Sequence, residues 1–137
     1  MKKIGIVGTR TKDTNIYLKK VNDAFLLKYL DGDTIVSGGC KQGGDRFAVV
    51  LKNLYKVPYI EHLPDKSKLD KELLKKNPRA SYAIINHARN TLVAEDSDIL
   101  IAVVADGDRR IGGTEDTIKK FKKLHPDDWR ERLIEIV

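Results

Sequence analysis

Short apolar runs that end in glycines alternate along this chain with stretches of helical hydrophobic spacing, and few folds accommodate that alternation. Residues 3–7 (KIGIV) and 33–36 (DTIV) are β-branched strand candidates that run into glycine almost at once. Residues 98–104 (DILIAVV) are apolar on both faces, as a strand covered by helices on each side must be. Residues 57–60 are a weaker candidate, because Pro58 cannot donate to a ladder and so belongs at a sheet edge or at a strand start. Residues 133–137 offer a fifth. Between them, residues 16–30, 45–55, 81–94 and 114–124 carry apolar side chains at helical spacing, with Ile84, Ile85, Ala88, Leu92 and Val93 expected along one side of the third. Strands alternating with helices predict a parallel sheet with right-handed crossovers in a three-layer α/β sandwich.

At 137 residues the chain fits one domain, spanning 1–137. No apolar run approaches the ~20 residues of a membrane helix, and the apolar run after Lys3 carries no cleavage signal, so no membrane and a cytoplasmic location are expected. A single cysteine, Cys40, excludes an internal disulfide. It also excludes a cysteine-rich metal site, and His62, His87 and His125 show no ligand spacing, so neither metal nor cofactor is expected. The formal charge of +6 favours an anionic ligand without choosing among nucleotides and nucleic acids. Residues 63–79 break the alternation, carrying six bases against three acids, a net +3. Such a stretch is either a functional connection or a solvated helix face between Asp70 and Lys76.

Seven of the ten glycines, Gly8, Gly38, Gly39, Gly43, Gly44, Gly112 and Gly113, fall just past the first, second and fourth strands. The carboxyl ends of parallel strands share one sheet edge, so these turns converge there. Exposed backbone N–H groups and helix N-termini make such an edge an anion pocket, most simply for phosphate. The bland reading of any one loop is a tight turn. Neither G-x-G-x-x-G nor a Walker G-K-[ST] is present, which disfavours dinucleotide dehydrogenases and P-loop ATPases.

Side chains complete the expected site. Thr9 and Arg10 leave the first strand, and Arg10 can grip phosphate in bidentate fashion. Ser37 and Lys41 flank the second loop, and Asp45 and Arg46 open the second helix, where Asp45 is either a dipole partner or an acceptor for ribose hydroxyls. Thr114 is a sensible N-cap for the fourth helix, with Glu115, Asp116 and Thr117 behind it. Carboxylates repel phosphate, which places the phosphate near Arg10, Gly38 and Gly39 and the sugar toward Glu115. Cys40 is either a thiolate activated beside Lys41 or a small residue filling a crowded turn, and no histidine neighbours it in sequence.

Gly8-Thr9-Arg10, the run Ser37-Gly38-Gly39-Cys40-Lys41-Gln42-Gly43-Gly44-Asp45-Arg46, the pair Arg89-Asn90, Ser97 to Ala102, and Gly113-Thr114-Glu115-Asp116-Thr117-Ile118 occur in that order over nearly the whole chain. Together they resemble the SLOG superfamily, most closely its small YspA-type branch, with its G-S/T-R start, S-G-G-x-x-x-G-A-D loop, R-N pair and G-T-x-x-T-I helix opening. Gly44 stands where that loop has alanine. The resemblance implies a single Rossmann-like sandwich with a mostly parallel sheet in the order 3-2-1-4-5. It also implies a nucleotide or nucleotide-derived ligand held by Gly8, Thr9, Arg10, Ser37, Gly38, Gly39, Lys41, Gly43, Asp45, Arg46, Arg89, Asn90, Gly112, Gly113, Thr114, Glu115 and Thr117, and a homodimer or higher homo-oligomer.

The same superfamily includes LOG-type phosphoribohydrolases and the DNA-processing protein A family, so two other readings stand beside nucleotide binding. One is N-glycosidic cleavage of a nucleoside 5′-monophosphate, with Arg89, Glu115 and Asp45 as its candidate catalytic residues. Arg89 falls on the LOG active-site arginine, but Thr117 occupies the position of the LOG catalytic glutamate. The other is single-stranded DNA binding through the lysine-rich segment, where Tyr82 is the nearest aromatic available for stacking.

Overall fold

The computed structural model of the chain describes residues 1–40, 42–107 and 110–137. Strands β1 (Lys3–Gly8), β2 (Thr34–Ser37), β3 (Tyr59–Glu61), β4 (Ile99–Val103) and β5 (Leu133–Ile136) form one sheet in the order β3-β2-β1-β4-β5. Every pairing is parallel. The helices are α1 (Asn15–Lys28), α2 (Gly44–Tyr55), α3 (Lys71–Lys76), α4 (Pro78–Glu95), α5 (Gly113–Leu124) and a single turn, α6 (Trp129–Arg132).

The two-residue repeat of the strands divides the core. Ile4 and Ile6 of β1 and Ile101 and Val103 of β4 face Val21, Phe25, Phe47 and Leu51 of α1 and α2. Val7, Leu100 and Ala102 point the other way, onto Val93 and Ala94 of α4 and Ile118 and Phe121 of α5. That is the doubly covered strand expected of residues 98–104. Phe25, Phe47 and Phe121 are fully buried, each contributing about 1.5–3 kcal/mol of hydrophobic stabilisation. β3 begins immediately after Pro58, whose carbonyl accepts from the Ile35 amide, so the missing N–H leaves no gap in the ladder.

Two expectations for α4, its apolar side and its start, need correction, and the two readings offered for residues 63–79 are decided. On α4, Ser81, Ile85, Val93 and Ala94 are buried, whereas Ile84 and Leu92 are 57% and 46% exposed. The 3.6-residue repeat puts Ile84, Ala88 and Leu92 in a row beside the buried one, so the five apolar residues do not share a side. Residues 63–79 are less irregular than their composition suggests. Asp70 Oδ1 accepts from the amides of Glu72 and Leu73 and starts α3, the solvated helix of the alternative reading. Asn77 then caps α4 through the Ala80 amide, with Pro78 in the first turn, so α4 begins ahead of residue 81.

The chain leaves β1 toward β2 on one side and returns from β3 to β4 on the other. The carboxyl ends of β1 and β4 therefore flank the point where the winding reverses, the place where open α/β sheets bind ligands.

Candidate functional site

A cavity of about 400 Å³ opens at that point, within the range of small-molecule sites. Gly8, Thr9 and Arg10 from the end of β1 line it, together with Gly38, Cys40 and Asp45 from the β2–α2 connection. Asn86, His87, Arg89 and Asn90 of α4 contribute, as do Arg110, Gly113, Thr114, Glu115 and Thr117 around the start of α5.

Two glycines make the convergence possible. A Cβ on Gly44 would lie 2.1 Å from the Val7 carbonyl carbon and 2.2 Å from the Gly8 amide nitrogen. The start of α2 therefore rests directly on the β1 backbone, and alanine at position 44 does not fit. Gly112 is the N-cap of α5 at φ +97°, a conformation that side chains disfavour. This corrects the expectation for Thr114: the cap lies two residues earlier, at Gly112, Thr114 lies inside the first turn, and its hydroxyl makes no hydrogen bond among the described residues. Its hydroxyl is left to the cavity.

Asp45 shapes the second loop. Its Oδ1 accepts from the Ser37 hydroxyl at 2.9 Å and the Gly38 amide at 3.1 Å, and its Oδ2 from the Cys40 amide at 2.9 Å. The carboxylate folds the loop back over its own helix start. Asp13, which carried no signal in sequence, does the same from below. Its Oδ1 accepts from the Gly43 amide at 3.0 Å and from Arg46 Nε at 2.6 Å. The Arg46 guanidinium holds the Asp13 carboxyl below the usual carboxylate range. Arg46 is thereby committed to Asp13 and is absent from the cavity wall, as are Ser37, Gly39, Gly43 and Gly112, which build the loops behind it. Lys41 lies outside the described residues.

Arg89 reaches across from α4. Its Nη1 donates to the Gly38 carbonyl at 2.6 Å and its Nε to Asn90 Oδ1 at 3.0 Å. Asn90, buried, donates in turn from Nδ2 to Asp116 Oδ2 at 3.1 Å, and Lys120 bonds the same oxygen at 2.8 Å. Burial pushes the Asp116 carboxyl up, but the bonds from Lys120 and Asn90 outweigh it and hold it below the usual range. The Arg-Asn pair is thus a positioning device, with Asn90 as the link between α4 and α5. Both acceptors of Arg89 are neutral, and it makes no ion pair among the described residues. Arg10, exposed, makes neither a hydrogen bond nor an ion pair among them. Two guanidinium groups with no ion pair among the described residues therefore stand at one cavity.

On the other flank Glu115 accepts from Arg110 Nε at 2.7 Å. Thr117 is buried and donates to the Gly113 carbonyl at 2.9 Å. Arg110 escaped sequence reading, since it stands in a segment with no motif of its own. Asn86 and His87 drew notice in the run 86–90, which is similar to the M-H-x-R-K segment of the LOG enzymes, and His87 also as a histidine without ligand spacing, but neither was taken as a site residue. For Arg110 the available signal was its place in the loop that carries Gly112 and Gly113. Among the described residues no group of three or more His, Cys, Asp or Glu side chains is placed to hold a metal ion, and no helix is long and apolar enough to cross a membrane.

No family model, curated protein or solved structure matches the chain.

Proposed function

We propose that this cavity binds a nucleoside phosphate or a related signalling nucleotide, and that the chain is a SLOG-type binding protein of the YspA kind. The observation that carries the reading is the state of Arg89. The guanidinium is clamped by neutral oxygens, so no carboxylate offsets its charge through these bonds, and it lines a cavity that Gly8, Gly38, Gly113 and Arg10 also line. Guanidinium groups suit phosphate because their planar donors match two oxygens at once, and a partly enclosed site screens them less than open solvent does. The starts of α2 and α5 converge on the same edge and add partial positive charge. In this pose the phosphate sits at Gly38, Arg10 and Arg89, and Thr114 and Glu115 face the sugar.

Binding is favoured over base cleavage by what stands near the sugar. Where the LOG enzymes carry their catalytic glutamate, Thr117 spends its hydroxyl on its own helix. Glu115 Oε1 is already engaged by Arg110 Nε at 2.7 Å. Incubation with a panel of nucleoside 5′-monophosphates, followed by chromatography, separates the readings. The expected result is intact nucleotide retained by the protein and no free base. Base release that disappears in Glu115→Ala assigns hydrolysis instead.

A further inference from the structure

Arg110 binds two carboxylates at once. Its Nε donates to Glu115 Oε1 at 2.7 Å, and its Nη2 and Nη1 donate to Glu135 Oε1 and Oε2 at 3.0 and 3.4 Å. Glu115 belongs to the first turn of α5 and Glu135 to β5, so the cluster occupies the β4–β5 flank of the cavity. The hydrogen bonds Arg110 donates to Glu115 first, and then to Glu135, raise its pKa, so the guanidinium keeps its charge across the physiological range.

Arg110 thus lies between two carboxylates, Glu115 in the cavity wall and Glu135 behind it. Arg89 stands over the end of β2, three strand steps from β5 and thus roughly 14 Å away at the usual strand spacing. Arg10 and Arg89 thus stand with Asp45 on the β2–β1 side of the cavity, and Arg110 with Glu115 on the side toward β5. The Arg110 bond uses only Oε1 of Glu115. Its Oε2 makes no hydrogen bond among the described residues, and the side chain is 16% exposed at the cavity wall. A carboxylate fixed by one oxygen, with the other open, is a preset acceptor: it repels phosphate and rewards a neutral donor.

We infer that Arg110 is a positioning residue that holds Glu115 ready to accept a hydrogen bond from a neutral donor on the ligand, at the far end of the cavity from its phosphate. The inference rests on the nucleotide reading above and sharpens it into a selectivity. Neutral donors on a nucleoside phosphate include the ribose hydroxyls and the N–H groups of the base; of these we assign Glu115 to the ribose 2′-hydroxyl or an exocyclic amino group of the base.

Calorimetric titration of the full chain tests this. The ligands are the four common ribonucleoside 5′-monophosphates, their 2′-deoxy analogues, and inosine 5′-monophosphate, which lacks the amino groups of adenine and guanine. Wild-type protein is expected to prefer its best ligand over the analogue lacking one donor by about tenfold or more, the value of one hydrogen bond to a charged acceptor. Loss on 2′-deoxy substitution assigns the ribose hydroxyl, and loss on amino-group removal assigns the base. Arg110→Gln and Glu115→Gln are each expected to bring that ratio within about threefold, while Arg110→Lys keeps part of it. Damage to the fold weakens all ligands together and leaves the ratio unmoved, and if one glutamine variant fails to fold the other still reads it. A wild-type ratio within threefold for both comparisons, or a ratio that the variants leave intact, overturns the inference. Binding of none of the ligands overturns the nucleotide reading itself, and this inference with it.

Discussion

Arg89 Nη1 donates to the Gly38 carbonyl oxygen at 2.6 Å, and that bond joins α4 to the loop after β2. The guanidinium lies so close that a Cβ on Gly38 would stand 2.7 Å from Nη1 and 3.1 Å from Cδ. The glycine thus leaves room for the arginine that completes the cavity.

Arg89→Ala is expected to weaken binding of a nucleoside 5′-monophosphate by at least about 30-fold, since it removes a charge-assisted phosphate contact. Stability should fall by only about 1 kcal/mol, because the lost bonds go to neutral acceptors. Calorimetric titration and urea denaturation on the same preparation check the split.

Gly44→Ala is expected to destabilise the fold by about 2–3 kcal/mol, because its methyl group would enter the β1 backbone at Val7 and Gly8. Thermal unfolding should show a midpoint lowered by roughly 10 °C. An unchanged midpoint would mean that α2 does not rest on β1 as described.

Acid stability rests partly on Asp33. Its carboxylate is buried and accepts from the Leu30 amide at 2.8 Å and the Lys2 amide at 2.9 Å, with the Lys2 ammonium group alongside. Burial pushes its pKa up, but the bonds from Lys2 and Leu30 outweigh burial and hold it below the usual carboxylate value. A depressed folded-state pKa contributes stability above the unfolded value of about 3.9 and loses it as pH falls through the folded one. Asp96 and Asp116 are depressed in the same direction. Denaturant midpoints should therefore drop steeply below about pH 4. Asp33→Asn should lose about 1–3 kcal/mol at pH 7 and show a shallower acid limb.

The lysine-rich segment is a solvated surface feature in this account. Lys66 and Lys68 lie on a 3₁₀ turn, and Lys71, Lys75 and Lys76 on α3, with neither element contributing a buried residue. Fluorescence anisotropy with a labelled oligothymidine should show weak binding at 50 mM salt that vanishes near 200 mM. Tight binding that persists at 200 mM would favour the single-stranded DNA reading instead.

Much of the architecture was legible because each strand carries its own pattern. The doubly apolar run around Leu100 to Val103, the two-residue repeat of β1 and the position of Pro58 all correspond to observed sheet features. The glycine turns do meet at one edge, since parallel topology leaves them no other place. What sequence did not disclose is how side chains are spent. Arg46 looked like a ligand contact, yet it is committed to Asp13 and absent from the cavity wall, while Asp45 and Asn90 stand in that wall and also hold a loop and a neighbouring helix. Such pairings join residues far apart in the chain, Asp13 with Arg46 or Arg110 with Glu135, and local spacing carries no trace of them. Ile84 and Leu92 misled for a different reason: adjacent helical rows are both apolar, and only packing against the sheet distinguishes them.

The central claim is that two arginines and a glycine edge select a phosphate. The most direct measurement is a paired titration of wild-type protein and the Arg10→Ala/Arg89→Ala variant with a nucleoside 5′-monophosphate and with the nucleoside lacking its phosphate. Wild-type protein is predicted to bind the phosphorylated form at least about a hundredfold more tightly, and the double variant to lose nearly all of that difference. Equal affinity for the two ligands in the wild type, or a difference that survives removal of both arginines, would contradict the account.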